Sequence, residues 1–171
     1  MLKQTSILCL ITLVLSLFSC STEEENIHPI VGKWQLQEFE LIQETELIFD
    51  DRVTKEDPRR VEYQNINITY DFRNDKTLQV SGTADLVSYD ENGEVDYTVT
   101  NQATLTDYTW EIEGDNLILQ TEVNGTIASG SIKIITMSDN EIIAQSIINR
   151  EFDWSTNKQV DVITSNYKFI R

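Results

Sequence analysis

The chain has 171 residues, with 29 acidic side chains against 13 Lys and Arg, one histidine and a net charge of −16. Nucleic acid is disfavoured as a partner, because phosphate recognition needs clustered Lys and Arg. The nearest such cluster, Lys55 with Arg59 and Arg60, is diluted by Glu56, Asp57 and Glu62 and broken by Pro58. With 40% hydrophobic residues the chain can build a real core, and its length suits one domain.

In chain order, Met1-Leu2-Lys3-Gln4 carries one positive charge and Ile7 to Phe18 is almost wholly apolar, interrupted by Thr12 and Ser16. A run of about a dozen residues is too short to span a bilayer, and its basic flank and small terminal residue read as a signal peptide over 1–19. Leu17, Ser19 and Cys20 resemble the lipobox of bacterial lipoproteins (Leu, a variable residue, a small residue, then Cys), although Phe18 is bulkier than usual at its position. Cys9 would leave with the signal, so Cys20 is expected to be the only thiol of the mature chain, unable to form an internal disulfide and available for lipidation. The resemblance implies several acyl chains, palmitate among them, on Cys20 and a lasting membrane attachment, since one chain alone holds only marginally. Residues 20–29 include Glu23-Glu24-Glu25 and lack aromatics, the composition of a solvated acidic tether. They resemble the acidic stretch that follows the lipid cysteine in surface-exposed lipoproteins of the Bacteroidota. The expected address is therefore the outer membrane, lipid-anchored and facing outward.

The remaining domain, 30–171, alternates with period two almost throughout. Ile66, Ile68, Tyr70 and Phe72 face one way, Arg73-Asn74-Asp75-Lys76 supplies a turn, and Leu78 and Val80 resume. Tyr108, Trp110 and Ile112 lead through Glu113-Gly114-Asp115-Asn116 to Leu117, Leu119, Thr121 and Val123. Asn124-Gly125 then gives the strongest short-range hairpin cue, because both turn positions need positive φ. Further turns are expected at Asp90-Glu91-Asn92-Gly93, Ser138-Asp139-Asn140 and Ser155-Thr156-Asn157-Lys158. Glu38 to Asp50 is ambiguous, and a bulged strand fits it as well as a helix. Short turns without long crossovers favour an all-β, antiparallel, up-and-down barrel of roughly eight to ten strands over a Greek-key sandwich. In such a barrel the run ending at Arg171 would pair back onto the run that begins after Pro29.

Ile30-Val31-Gly32-Lys33-Trp34 resembles the Gly-x-Trp opening of lipocalin-like domains. Tyr70 to Leu78 is similar to the Tyr-x-Phe, Asp-Gly-Thr hairpin of lipocalin-like lipoproteins of the Bacteroidota, with Lys76 in place of their turn glycine. Trp110 to Leu119 resembles their Trp-x-Ile, Gly-Asn, Leu-x-Leu hairpin. The resemblance implies that Gly32 and Trp34 plug one end of the barrel, with a basic residue of the last strand packed over the tryptophan. Arg171 or Lys168 would serve, and Arg171 is placed with Gly32 and Trp34 in the expected plug.

The catalytic inventory is poor. His28 is the only histidine and, with Cys20 engaged by lipid, neither a histidine-dependent triad nor a Cys/His zinc site can be assembled. Asp90, Asn92, Glu94 and Asp96 alternate around Gly93 and could offer oxygens to calcium, but their order departs from that of an EF-hand, so a hairpin turn is the better expectation. The chain is expected to be no enzyme and to use no cofactor or metal. Two functions remain: a barrel that binds a small apolar or amphipathic ligand through Tyr70, Phe72, Tyr108 and Trp110, or a solid-cored barrel or sandwich that meets an envelope or host protein as an interaction or inhibitor module.

Overall fold

The computed structural model describes residues 27–50, 52–154 and 157–171, and every element among them is a strand. The expected lipidation site, Cys20, and most of the expected tether lie outside the described residues. The strands are β1 (Gly32–Phe49), β2 (Arg52–Lys55), β3 (Arg59–Phe72), β4 (Thr77–Tyr89), β5 (Val95–Glu113), β6 (Asn116–Val123), β7 (Thr126–Met137), β8 (Glu141–Trp154) and β9 (Asn157–Ile170). Each long strand pairs antiparallel with the next, and β9 returns to β1 from Gln35↔Ile170 to Phe49↔Asn157, closing an eight-strand up-and-down barrel. β2 is an extra piece on the same edge of β1 as β3, with Glu46↔Lys55 above and Gln43↔Arg59 below. Pro58 lies between the two, and a residue without an N–H cannot continue the ladder there.

The turns follow from backbone chemistry. Asn124 and Gly125 both have positive φ (52° and 77°), which matches the twist of the strands they join. Lys76 sits at φ 67°, so the position where the similar hairpins carry glycine keeps a glycine-like conformation here. Asp75 supports that turn by accepting from both the amide and the hydroxyl of Thr77 (3.0 and 2.6 Å). Asp90 makes the corresponding turn between β4 and β5, its Oδ1 accepting from the backbone of Asn92 and Glu94 (2.9 and 2.8 Å). Among the described residues no group of three His, Cys, Asp or Glu side chains is placed to hold a metal ion.

Bulges decide which side chains face inward. On β1, Leu36 pairs with Phe169 and Phe39 with Tyr167, so residues three apart on one strand meet residues two apart on the other, and both face the interior. β3 bulges at Asn65 (φ 49°) and β5 at Asn101 (φ 52°). Asp85, on β4 between them, ties both down: it accepts from the Asn65 side-chain amide at 2.6 Å and from the Asn101 backbone at 2.8 Å. Those two bonds hold its carboxyl below the usual range. Gly82 makes the β3–β4 crossing possible, since at its φ of 136° a Cβ would stand 1.9 Å from the Asn67 carbonyl oxygen.

The core occupies one end of the barrel. Trp34 is fully buried, and its Nε1 donates to the Ile30 carbonyl at 2.7 Å. Ile30, Phe72, Leu78, Trp110, Leu117, Ile142 and Phe169 pack around it. Arg171 lays its guanidinium 4.3 Å from the centre of the Trp34 ring and donates to the carbonyls of Val31 (2.7 Å), Pro29 (3.0 Å) and Asp139 (3.3 Å). A Cβ at Gly32 would come within 3.1 Å of that guanidinium. Lys168 turns outward to Glu38 and Glu141.

Candidate functional site

Paired residues of an antiparallel sheet project to the same face, so the interior can be followed level by level. At the closed end the space between Phe72, Leu117, Ile142 and Phe169 leaves only about 10 Å³, less than one water needs to be comfortable. One level up the packing opens. Phe39, Tyr63, Tyr70, Tyr108 and Tyr167, with Ile68, Val80, Thr104, Leu119 and Ile132, line a partly open cavity of about 280 Å³. The next inward residues on β1, β3, β4 and β5, namely Leu41, Val61, Ser88 and Tyr97, form one row across the sheet and line a wider hollow of about 690 Å³. Its rim carries Lys55, Glu56, Asp57, Arg59, Asp90, Glu91 and Asp96. Higher on β1 and β9 the inner face is polar: Thr45 Oγ1 and Gln159 Nε2 both donate to Asp161 Oδ1, at 2.9 and 2.8 Å. The barrel therefore runs from an apolar floor through an aromatic middle to a polar mouth.

Aromatic contacts set the cavity wall. Phe39 lies 4.5 Å from Tyr63 and 5.2 Å from Tyr167 between ring centres, and Tyr70 meets Phe169 edge-on at 4.9 Å. Burial, and then the neighbouring phenols of Tyr167, Tyr108 and Tyr63, push the Tyr70 hydroxyl well above its ordinary pKa. Tyr63 moves the same way, through burial first and Tyr167 second. Both phenols stay protonated at neutral pH. A further hollow of about 480 Å³ lies outside the barrel against Gln79, Asp107, Gln120 and Glu122, a more open and polar setting than the aromatic chamber.

The wall of the upper barrel is incomplete. β5 pairs with β6 only from Thr109 to Glu113, and β8 pairs with β7 only from Gln145 back to Ile142. The β6–β7 hairpin turns at Asn124-Gly125 and does not extend the ladder along the rest of its neighbours. The segments Val95–Tyr108 of β5 and Ser146–Trp154 of β8 thus have no ladder partner on that side among the described residues. Side chains on the inner parity there are exposed, Tyr97 by 49%, Phe152 by 42% and Trp154 by 50%, although their residue types suit a core.

Of the four residues expected to meet a ligand, Tyr70 and Tyr108 line the cavity, whereas Phe72 and Trp110 are packed beneath it. Trp110 donates from Nε1 to the Thr77 carbonyl (3.1 Å), meets Phe72 edge-on at 5.8 Å and carries the Lys76 ammonium 4.1 Å from its ring centre. It belongs to the floor. Gly32, Trp34 and Arg171 come together as one plug. Phe39, Tyr63 and Tyr167 are wall residues that the sequence reading did not single out. Tyr167 stands two residues before Phe169 and was accessible by simple alternation, whereas the bulges on β1 and β3 hid the parity of Phe39 and Tyr63. His28 accepts from the Ile30 backbone through Nδ1 at 3.3 Å, and burial followed by the Lys76 charge lowers its pKa, so it stays neutral near pH 7.

No protein-family model matches the chain, and no curated protein matches it either. The functional reading therefore rests on the barrel and its interior.

Proposed function

We propose that this protein is a lipid-anchored envelope lipoprotein whose lipocalin-like barrel binds, without turning over, one small apolar or amphipathic molecule. The observation that carries the reading is the aromatic cavity of about 280 Å³ between a closed floor and an open mouth. That volume lies near the low end of small-molecule sites and suits a ligand of one to three rings or a short chain. The excess negative charge selects against anionic amphiphiles and leaves neutral and cationic ones. Anchorage at the outer membrane through Cys20 rests on the lipobox-like seam. Native mass spectrometry of the protein purified from its own envelope tests the binding reading, because a retained small molecule adds a discrete mass that denaturation removes. Repeated recovery of the bare acylated chain, together with no saturable uptake of neutral lipophiles below about 100 μM, would remove the reading.

A second reading, an interaction module for an envelope or host protein, is favoured by a different feature. The open edges of β5 and β8 flank exposed Tyr97, Phe152 and Trp154, and an extended segment of a partner could pair there. Protection of Val95–Tyr108 and Ser146–Trp154 from hydrogen exchange by a protein partner, without displacement of any small molecule, would establish it.

A further inference from the structure

Resting on the ligand-binding reading, we infer that the cavity selects a neutral ligand whose apolar skeleton carries a carbonyl or ether oxygen, which the wall's phenols recognise by donating hydrogen bonds. Four of the five aromatic wall residues, Tyr63, Tyr70, Tyr108 and Tyr167, are tyrosines, and they come from β3, β5 and β9. Their phenols are close enough for Tyr70 to feel the other three electrostatically. Among the described residues no hydrogen bond to a protein group ties any of these four hydroxyls, whereas Trp34 Nε1, Thr45 and Asp161 are each bonded. Among the described residues no side-chain nitrogen or oxygen sealed away from solvent lacks a partner, so the four hydroxyls open onto free space rather than into the packed wall. Phenylalanine would fill the same positions without polar atoms. A site that sets four phenolic O–H groups, with the Thr104 hydroxyl, beside Phe39, Ile68, Val80 and Leu119 presents donors to whatever enters it.

The rest of the wall narrows the class. Among the described residues no Lys or Arg lines the cavity, so nothing there compensates a carboxylate or phosphate head, and the net charge of −16 opposes one. No Asp or Glu lines it either, so an ammonium group would rely on ring faces alone. The strongest complement to several protonated phenols in an apolar chamber is a neutral acceptor oxygen, because the phenols donate without any change of charge.

Three probes on one carbon skeleton separate the possibilities: tetralin, 1-tetralone and 1-aminotetralin, titrated at pH 7 into the full chain carrying Cys20→Ala so that no acyl chains compete, and followed by ligand-observed NMR. The expected result is that 1-tetralone binds about three- to tenfold more tightly than tetralin, the range a single net hydrogen bond supplies. That preference should collapse in at least one of Tyr63→Phe, Tyr70→Phe, Tyr108→Phe and Tyr167→Phe, while the same variant still binds tetralin saturably and at least as tightly as the parent. These substitutions keep the ring and the packing, and an unchanged urea-unfolding midpoint at pH 7 certifies the fold. Equal affinity for tetralin and 1-tetralone would overturn the phenol assignment while leaving the binding reading intact. Tightest binding of 1-aminotetralin would overturn it in favour of a cation held by the rings. Saturable binding of none of the three would overturn both readings.

Discussion

The two ends of this barrel are built from the same strands yet held in different ways. At the closed end, hydrogen-bonded pairing runs all the way round, from Gln35↔Ile170 through Phe72↔Leu78 and Ile112↔Leu117 to Ile142↔Phe169, and the interior is filled by Trp34, Leu78, Trp110 and Phe169. At the open end β5 and β8 run on past the short β6–β7 hairpin, and large apolar side chains on the inner parity stand in solvent. Closure removes edges only where every strand reaches. A filled, fully paired half and an open, partly unpaired half are thus separated along the barrel axis, with the aromatic cavity at their boundary.

The largest effect is expected from breaking the close β3–β4 approach at Gly82, at the level of the cavity wall. Gly82→Ala places a methyl group where the Asn67 carbonyl oxygen lies 1.9 Å away, at a φ of 136° that L-residues rarely adopt. Unfolding in urea should show a loss of more than about 4 kcal/mol, or no folded protein at all. Trp34→Ala comes next. It empties the plug beneath Arg171 and should cost about 3 to 5 kcal/mol in the same assay. A neutral Trp34→Ala would mean that the closed end does not hold the fold.

The boundary layer can be tested through pH. The Tyr70 and Tyr63 phenols have folded pKa values raised above the ordinary value of 10, mainly by burial. Their contribution to stability is fully present below about pH 10, because both states are then protonated, and it falls as pH rises further, because the unfolded chain releases protons that the folded chain retains. Stability should therefore drop above pH 10 by up to about 1.4 kcal/mol per pH unit for each such phenol. Tyr70→Phe should make that fall shallower while changing the neutral-pH midpoint little. An unchanged alkaline slope in the variant would show that Tyr70 is not desolvated.

The smallest effect belongs to the open end. Phe152→Ser and Trp154→Ser remove large apolar side chains that are already 42% and 50% exposed, and each should change stability by no more than about 0.5 kcal/mol. A loss comparable to that of Trp34→Ala would show that these residues pack into a core and that the upper barrel is closed.

Much of the architecture was legible because its signals are local. Alternation at Ile68-Tyr70-Phe72 and Tyr108-Trp110-Ile112, the Asn124-Gly125 turn and the first-to-last closure need only strand periodicity and turn chemistry, and the structure has all of them. The site was half legible for a physical reason. Tyr70 and Tyr108 sit in uninterrupted alternation, but Tyr63 and Ile68 both face inward although five residues apart, because the Asn65 bulge resets the parity. Trp110 has inward parity, yet its height on the axis depends on the pairing Thr77↔Thr109, a long-range fact that alternation does not carry. The unpaired upper edges follow from strand length, with 8 residues in β6 against 19 in β5, and that disparity emerges only once the two are placed side by side.

Amide hydrogen exchange on the intact protein tests the division of the barrel most directly. The slowest exchange is expected in Gly32–Leu36, Tyr70–Phe72, Leu78–Val80, Trp110–Ile112 and Tyr167–Phe169, where ladders are continuous and the core is filled. Exchange faster by orders of magnitude is expected in the upper parts of β5 and β8, at those amides directed toward the missing neighbour. Uniform protection from the Trp34 end to the Trp154 end would overturn this division, because it would mean that the barrel is held equally throughout and has no open half.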